Sequence, residues 1–203
     1  MHAVMNTDDG IRVVDADEPS GAGVRLSVAS AGICGTDVNL VAAGITGFIY
    51  GHEFAGVDDS GTGYFVEPIV YGGQCEECRS GHTQRCAEPG NTTLGIFSDG
   101  GMAETVVVPE YSLLALPPQL DAKDACLIEP GAIAWHGLRR AQVQPGERLL
   151  IVGGGSIGLL AAAAAQHQGL DVDVDTRHDH QLAAAERLGS GRPSGAYDVV
   201  LDA

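Results

Sequence analysis

Lysine is all but missing from this chain of 203 residues: Lys123 stands alone, and 11 basic side chains face 27 aspartates and glutamates, for a formal net charge of −16. A surface of that sign repels phosphodiester backbones and anionic headgroups over its whole extent, which argues against nucleic acid and acidic membrane as partners. Long apolar runs are missing too. The longest, Leu149–Val152 with the alanine-rich Ile157–Ala165 beyond it, is cut by glycines and Ser156, short of the ~20 residues that a membrane span needs. The start, Met1-His2-Ala3-Val4-Met5, lacks the basic-then-apolar order of a secretion signal, so a cytoplasmic location is expected. Cysteine is scarce but clustered. Of five, Cys75, Cys78 and Cys86 lie close together, and without a secretion signal they read as metal ligands rather than a disulfide framework.

What is present is an ordinary globular composition, 44% hydrophobic, with a change of texture near Pro117-Pro118. Before it the chain is glycine-rich with short β-branched runs, Val24–Val28 and Glu104–Val108 among them, which describe an irregular, barrel-like β domain. After it, Ala122–Leu127 and Ile133–Arg140 look helical, Pro145-Gly146 makes a turn, and Arg148–Val152 is a continuous apolar strand of the buried parallel type. A helix over Ile157–Gln168 closes at Gly169, a strand covers Val172–Thr176, a helix runs over Asp179–Leu188, and Tyr197–Asp202 is a third strand. Strand, helix, strand, helix, strand opens a doubly wound sheet. A domain of residues 1–120 is therefore expected, followed over 121–203 by the first half of a nucleotide-binding domain. Three parallel strands leave an edge meant for more, so the chain reads as partial.

Three motifs carry chemistry, in a fixed order. Cys34-Gly35-Thr36-Asp37 and Gly51-His52-Glu53 offer a thiol, an imidazole and carboxylates to a soft metal. Val152-Gly153-Gly154-Gly155-Ser156-Ile157-Gly158 follows a strand and opens a helix, the context a dinucleotide cradle requires. There Gly153 can turn tightly, Gly155 can let backbone approach a pyrophosphate, and Gly158 can let helix and strand pack closely. Taken alone, Cys34 would read as a buried apolar thiol and His52 as a satisfied loop histidine. The ordered set outweighs that reading.

With Val66-Glu67-Pro68, Gly100-Gly101-Met102-Ala103-Glu104 and Ile128-Glu129-Pro130 in order between these motifs, the chain resembles the zinc-dependent medium-chain dehydrogenases over nearly its whole length. The resemblance implies a GroES-like catalytic domain followed by a Rossmann domain that continues past residue 203. It also implies a catalytic zinc held by Cys34, His52 and Glu129, with Glu53 as a ligand or exchange partner. Thr36 matches the hydroxyl that takes the alcohol proton, and Asp37 matches the carboxylate that orients the ligand histidine. Asn39 stands where many relatives carry a relay histidine. The cysteine cluster is similar to the family's structural-zinc lobe of four cysteines, but Gly72 occupies the first ligand position. Cys75, Cys78 and Cys86 then form a degenerate site, vacant or weak unless His82 or a carboxylate such as Glu76 completes it. Cys126 reads as a core residue, His136 beside Trp135 as a packing residue, and His2, His167 and His180 as surface positions.

Cofactor choice turns on the end of the second strand. NAD enzymes of this type place an acidic residue there; this register puts Thr176 there, followed by Arg177 and His178. A hydroxyl and two potential cations favour the 2′-phosphate of NADP over NAD. Asp175 becomes the diol acceptor only on a one-residue slip, since alternation groups it with Asp171 and Asp173. The leading expectation is a zinc- and NADP-dependent oxidoreductase of alcohols, polyols or sugars, homo-oligomeric at full length. Glu129 tilts it toward polyols and sugars. A zinc-free quinone or enoyl reductase and a non-catalytic metal- or nucleotide-binding fragment are the alternatives.

Overall fold

The computed structural model describes all 203 residues, which form two compact units, Met1–Ile128 and Glu129–Ala203. In the first, β1 (His2–Thr7) and β2 (Gly10–Asp15) make an antiparallel ribbon. Next come β3 (Val24–Ala31), helix α1 (Gly35–Ala42), β4 (Phe54–Val57), β5 (Gly63–Val66) and β6 (Ile69–Val70). The short helix α2 (Glu76–Arg79), β7 (Thr92–Thr93), β8 (Thr105–Val108) and β9 (Leu113–Ala115) complete the unit. The main sheet is antiparallel in the order β8-β3-β4-β5-β9, and β6 pairs with β7. Alternation explains its sidedness: in β3 Leu26 is buried between exposed Arg25 and Ser27, and in β8 Val106 and Val108 are buried, as period-two pleating demands. These side chains meet Phe54, Val66 and Leu94 in one core. The unit is GroES-like.

The register of β3 against β4 places the motifs of this unit. Ala31 pairs with Phe54, so the chain leaving β3 and the chain entering β4 emerge at the same end of the sheet. Gly32 N–H donates to the Glu53 carbonyl at 2.7 Å and extends the pairing. Cys34 and His52, distant in sequence, are neighbours for that reason.

The second unit is the beginning of a Rossmann-like doubly wound sheet. Helix α3 (Ile128–Ala141) precedes β10 (Arg148–Val152), α4 (Ser156–His167), β11 (Asp171–Asp175), α5 (Asp179–Arg187) and β12 (Val199–Asp202). The three strands are parallel in the order β11-β10-β12. Leu149, Ile151, Val172 and Val174 pack against Ala161, Ala162 and Ala165 of α4, small residues that let the helix lie close to the sheet. Helix α4 ends where Gly169, at φ +78°, takes the left-handed position, with Leu170 N–H returning to the Ala165 carbonyl at 3.1 Å. At the start of β10 the Arg148 guanidinium binds Asp171 at 3.0 Å, Asp173 at 2.9 Å and the carbonyls of Ser194 and Ala196.

Four local expectations shift. Ala122–Leu127 holds only a 3-10 turn, Ala125–Leu127, whereas the following helix starts at Ile128 and takes Glu129 and Pro130 into its first turn. Proline needs no donor partner there. His136 and Trp135 are exposed, because α3 buries the Ala134–Leu138 face instead. Cys126 is half-buried, and its neighbour Ala125 occupies the core. The strand expected over Val172–Thr176 ends one residue earlier, at Asp175.

No helix is long and apolar enough to cross a membrane. Ile151 is fully buried in the middle of the second core, so Ile151→Ala is expected to cost about 2–5 kcal/mol in chemical unfolding, with the first unit's core unaffected.

Candidate functional site

Asp37 organises the metal-type cluster of the first unit. It is buried at the third position of α1, and its Oδ2 accepts the backbone N–H of Cys34 at 2.8 Å, the reciprocal bond of a helix N-terminus that starts with a capping box. Its other oxygen lies 3.5 Å from Nδ1 of buried His52. One carboxylate therefore bonds to the residue that starts the helix and stands beside the imidazole. The donor atoms of Cys34, His52 and Glu53 all lie within 4.8 Å of one another. Glu53 is buried, and its carboxylate sits over Gly32, where an added Cβ would come within 2.2 Å of Oε2. Burial pushes the Glu53 carboxyl above the usual glutamate range, against the pull of the Cys34 hydrogen bond and of His52. A thiol, an imidazole and a partly desolvated carboxylate at this spacing fit a zinc ion, whose charge would relieve that burial.

Thr36 is half-buried in the first turn of α1, and Asn39 is exposed on the same helix. Glu129 belongs to the second unit, in the first turn of α3.

A second cluster is built on α2. Cys75, at its N-cap, has Sγ 3.4 Å from that of Cys78, and Cys86 and Glu88 join them, all donor atoms lying within 4.8 Å. Backbone hydrogen bonds from Cys78 and Ala87 draw the Cys75 thiol down to about 7, while desolvation pushes Cys78 up to about 11. Neither His82 nor Glu76 is the fourth member. His82 is exposed and faces Ser80 and Glu77, because the loop after α2 turns its ring back on that helix. Glu88 was not anticipated from sequence; its signal is a carboxylate two residues beyond Cys86, coupled to a missing side chain at Gly72.

In the second unit a cleft of about 480 Å³ opens above the sheet, lined by Gly153–Gly155, Asp175–His178 and Gln181, with Asp202 and Ala203 at one side. Gly153, at φ +115°, takes the chain out of β10 in a conformation that side chains disfavour. Gly155 faces open space as the N-cap of α4, and a Cβ on Gly158 would lie 1.9 Å from the Gly153 carbonyl oxygen. Ser156 and Ile157 begin the helix, so its unpaired N–H groups face the cleft end, as anion binding requires. Thr176 lies over Gly154, since a Cβ there would come within 2.6 Å of its Oγ1, and it hydrogen-bonds to Gln181. Asp175 is exposed at the last strand position, while Asp171 and Asp173 on its face are both bound by Arg148.

A thiol beside a buried imidazole and carboxylate in a GroES-like unit, followed by a glycine-loop cleft on a parallel sheet, defines a dehydrogenase architecture. Residues 20–118 match the alcohol dehydrogenase GroES-like domain. The chain is 38% identical over 178 residues to L-galactonate-5-dehydrogenase of Escherichia coli K12, an alignment spanning 80% of this chain and 52% of that protein. It is 32% identical over 211 residues to galactitol 1-phosphate 5-dehydrogenase of the same organism, over 94% of this chain and 60% of that one. The crystal structure of galactitol-1-phosphate dehydrogenase from Escherichia coli superposes with a TM-score of 0.83 at 29% identity, covering 99% of this chain and 61% of that one. The chain belongs to the zinc-dependent medium-chain dehydrogenase family, and it spans about half to three-fifths of the length of these relatives.

Because burial raises the folded-state value of Glu53, the metal-free protein is favoured by the protonated carboxyl below the ordinary glutamate range and loses that contribution as pH rises through the raised value. Glu53→Gln should therefore melt higher than the parent at pH 7–8 in chelator, with the gap closing toward pH 4. Scanning calorimetry across that range checks the sign.

Proposed function

We propose that the full-length protein is a zinc-dependent oxidoreductase that passes hydride between NADP(H) or NAD(H) and an alcohol, polyol or sugar and its carbonyl partner. The observation that carries this reading is the Asp37-backed grouping of Cys34, His52 and Glu53 within 4.8 Å. Relatives named for oxidation of galactonate and galactitol phosphate support the polyol and sugar direction. Zinc there would supply a Lewis acid that polarises the reacting oxygen, and a bound nicotinamide would exchange hydride with its carbon. Cys34 and His52 would hold the metal, with Glu53 as ligand or exchange partner, and Glu129 is the third ligand that the family resemblance implies. Asp37 stands 3.5 Å from Nδ1 of His52, and with a metal bound it would orient the ring so that Nε2 ligates, raising its basicity. Thr36 carries the proton to and from the substrate hydroxyl, and exposed Asn39 gives that proton no titratable group for its next step.

The second unit acts as the N-terminal half of the dinucleotide-binding domain, with Gly153, Gly155, Ser156, Ile157 and Gly158 receiving the pyrophosphate at the start of α4. We favour NADP over NAD. Thr176, Arg177 and His178 line the cleft beside the glycine loop, and a guanidinium there suits a 2′-phosphate. Asp175, not Thr176, ends the second strand and shares that wall, the position at which an NAD enzyme places its diol acceptor, so the preference requires the cation to outweigh it. A cytoplasmic location, a homo-oligomeric full-length form and no nucleic-acid partner complete the proposal.

The test measures bound zinc, then NADPH and NADH binding, then turnover on polyols, aldoses and simple alcohols with the full-length protein. Turnover that survives complete removal of zinc would refute the metal role. Arg177→Ala is expected to weaken NADPH by about 10–100-fold, the worth of a charge-assisted hydrogen bond, and to leave NADH nearly unchanged. An equal loss for both cofactors overturns the NADP preference.

A further inference from the structure

The cysteine lobe lacks the side chain at Gly72, and the space that this leaves is filled. A Cβ built on Gly72 would lie 2.4 Å from Oε2 and 2.8 Å from Cδ of Glu88. The carboxylate of Glu88, carried past the third cysteine by the turn at Cys86–Glu88, thus reaches back to where a side chain at residue 72 would point. It is held there by the Gln74 backbone N–H, which donates to Oε2 at 3.0 Å, and it approaches the Cys86 thiol at 3.7 Å. With Cys75 and Cys78 it closes a group of four donors, no two further apart than 4.8 Å.

We propose that this lobe is a four-coordinate zinc site of three thiolates and one carboxylate, with Glu88 as the fourth ligand in place of a residue-72 side chain. The chemistry fits in three respects. Structural zinc sites are closed and tetrahedral, and the ion accepts carboxylate oxygen at about 2.0–2.2 Å beside thiolate sulfur at about 2.3 Å. A carboxylate carries the same unit charge as the thiolate it replaces, so the ligand set keeps its electrostatic balance. The longer glutamate side chain spans a gap that a shorter residue at position 88 would leave open, and only glycine at position 72 leaves it room. Gly72 and Glu88 are thus complementary: restoring a side chain at 72 while keeping Glu88 crowds two groups into one place. The Gln74 N–H fixes the carboxylate before the ion arrives, the orienting bond that metal-ligating carboxylates ordinarily have. The lobe stands apart from Cys34, His52 and Glu53, so the inference is independent of the hydride-transfer reading.

The test uses the full chain and the variants Glu88→Ala, Glu88→Gln, His82→Ala, Gly72→Cys and the double variant Gly72→Cys/Glu88→Ala. Zinc is counted after dialysis and titrated against a chromophoric chelator. Cadmium-113 NMR of the loaded proteins separates the lobe resonance from that of the Cys34 cluster. The expected result is zinc in the lobe of the parent and of His82→Ala, with affinity lowered by about 100-fold in Glu88→Ala and Glu88→Gln, the upper end of losses seen when a group supporting a metal is removed. The double variant should recover tight binding, with its lobe cadmium signal moved downfield toward the four-sulfur position, whereas Gly72→Cys alone should gain nothing. Zinc retained undiminished by Glu88→Ala, zinc lost instead from His82→Ala, or a parent lobe that takes no metal each overturns the proposal. Misfolding of the Glu88 variants would appear as loss of the Cys34-cluster signal as well. In that case the parent's own lobe resonance decides, at a three-sulfur or a four-sulfur position.

Discussion

Backbone packed directly on backbone around Gly51 is the constraint on which the first unit depends. A Cβ on Gly95 would fall 2.3 Å from the carbonyl carbon and oxygen of Gly51, one on Gly100 would fall 2.3 Å from the same oxygen, and one on Gly51 itself, at φ +97°, would fall 2.9 Å from the backbone nitrogen of Met102. Hydrogen bonds stitch these strands of chain together: Gly100 to Ile49, Gly101 to Gly51 and Met102 to Tyr50, each at 2.8 Å, and Tyr50 to Val4 at 3.1 Å. The three residues before His52 are therefore held on both sides by main chain. His52 and Glu53 leave this crossing already aimed into the interior, with the Phe54 core behind them. The burial that strains the Glu53 carboxyl follows from a crossing that admits no side chains.

The second unit uses the same device for a different purpose. The carbonyl of Gly153 and the Cα of Gly158 touch, which draws the N-terminus of α4 down against the end of β10, so that its free N–H groups stand over the cleft. Packing inside the unit is of small against branched residues, the alanines of α4 on the valines and isoleucine of the strands. The acidic balance of the chain is handled locally rather than everywhere. Arg148, with five donors and no lysine equivalent, binds two aspartates and two carbonyls at once, and Asp173 stays buried because of it.

Much of this architecture is legible in the residues. The run Arg148–Val152, the glycines 153, 155 and 158 and the helix-ending glycines 169 and 189 specify β10, the loop and the lengths of α4 and α5 through local rules: period, positive φ and capping. The helix that Cys34 and Asp37 start was less legible, since cysteine is not an ordinary N-cap residue. Glu88 was not legible. Its part depends on the absence of a side chain sixteen residues upstream, and no local rule connects a missing Cβ with a carboxylate across a loop. The exposure of Trp135 and His136 was also hidden, since a helix with apolar residues on two faces does not declare which one the sheet will take.

The sequence by itself determined the family, the order of the two units and the donor types available for metal and nucleotide, because motif chemistry and secondary-structure period are properties of neighbouring residues. Only the tertiary structure decided which donors meet. The β3–β4 register carries Cys34 to His52 and Glu53, the Gly51 crossing buries the latter two, and the turn after Cys86 sends Glu88, rather than His82 or Glu76, into the thiol cluster. Each of these depends on pairing between distant segments, where the free energy resides in packing and hydrogen bonds that a linear pattern does not contain.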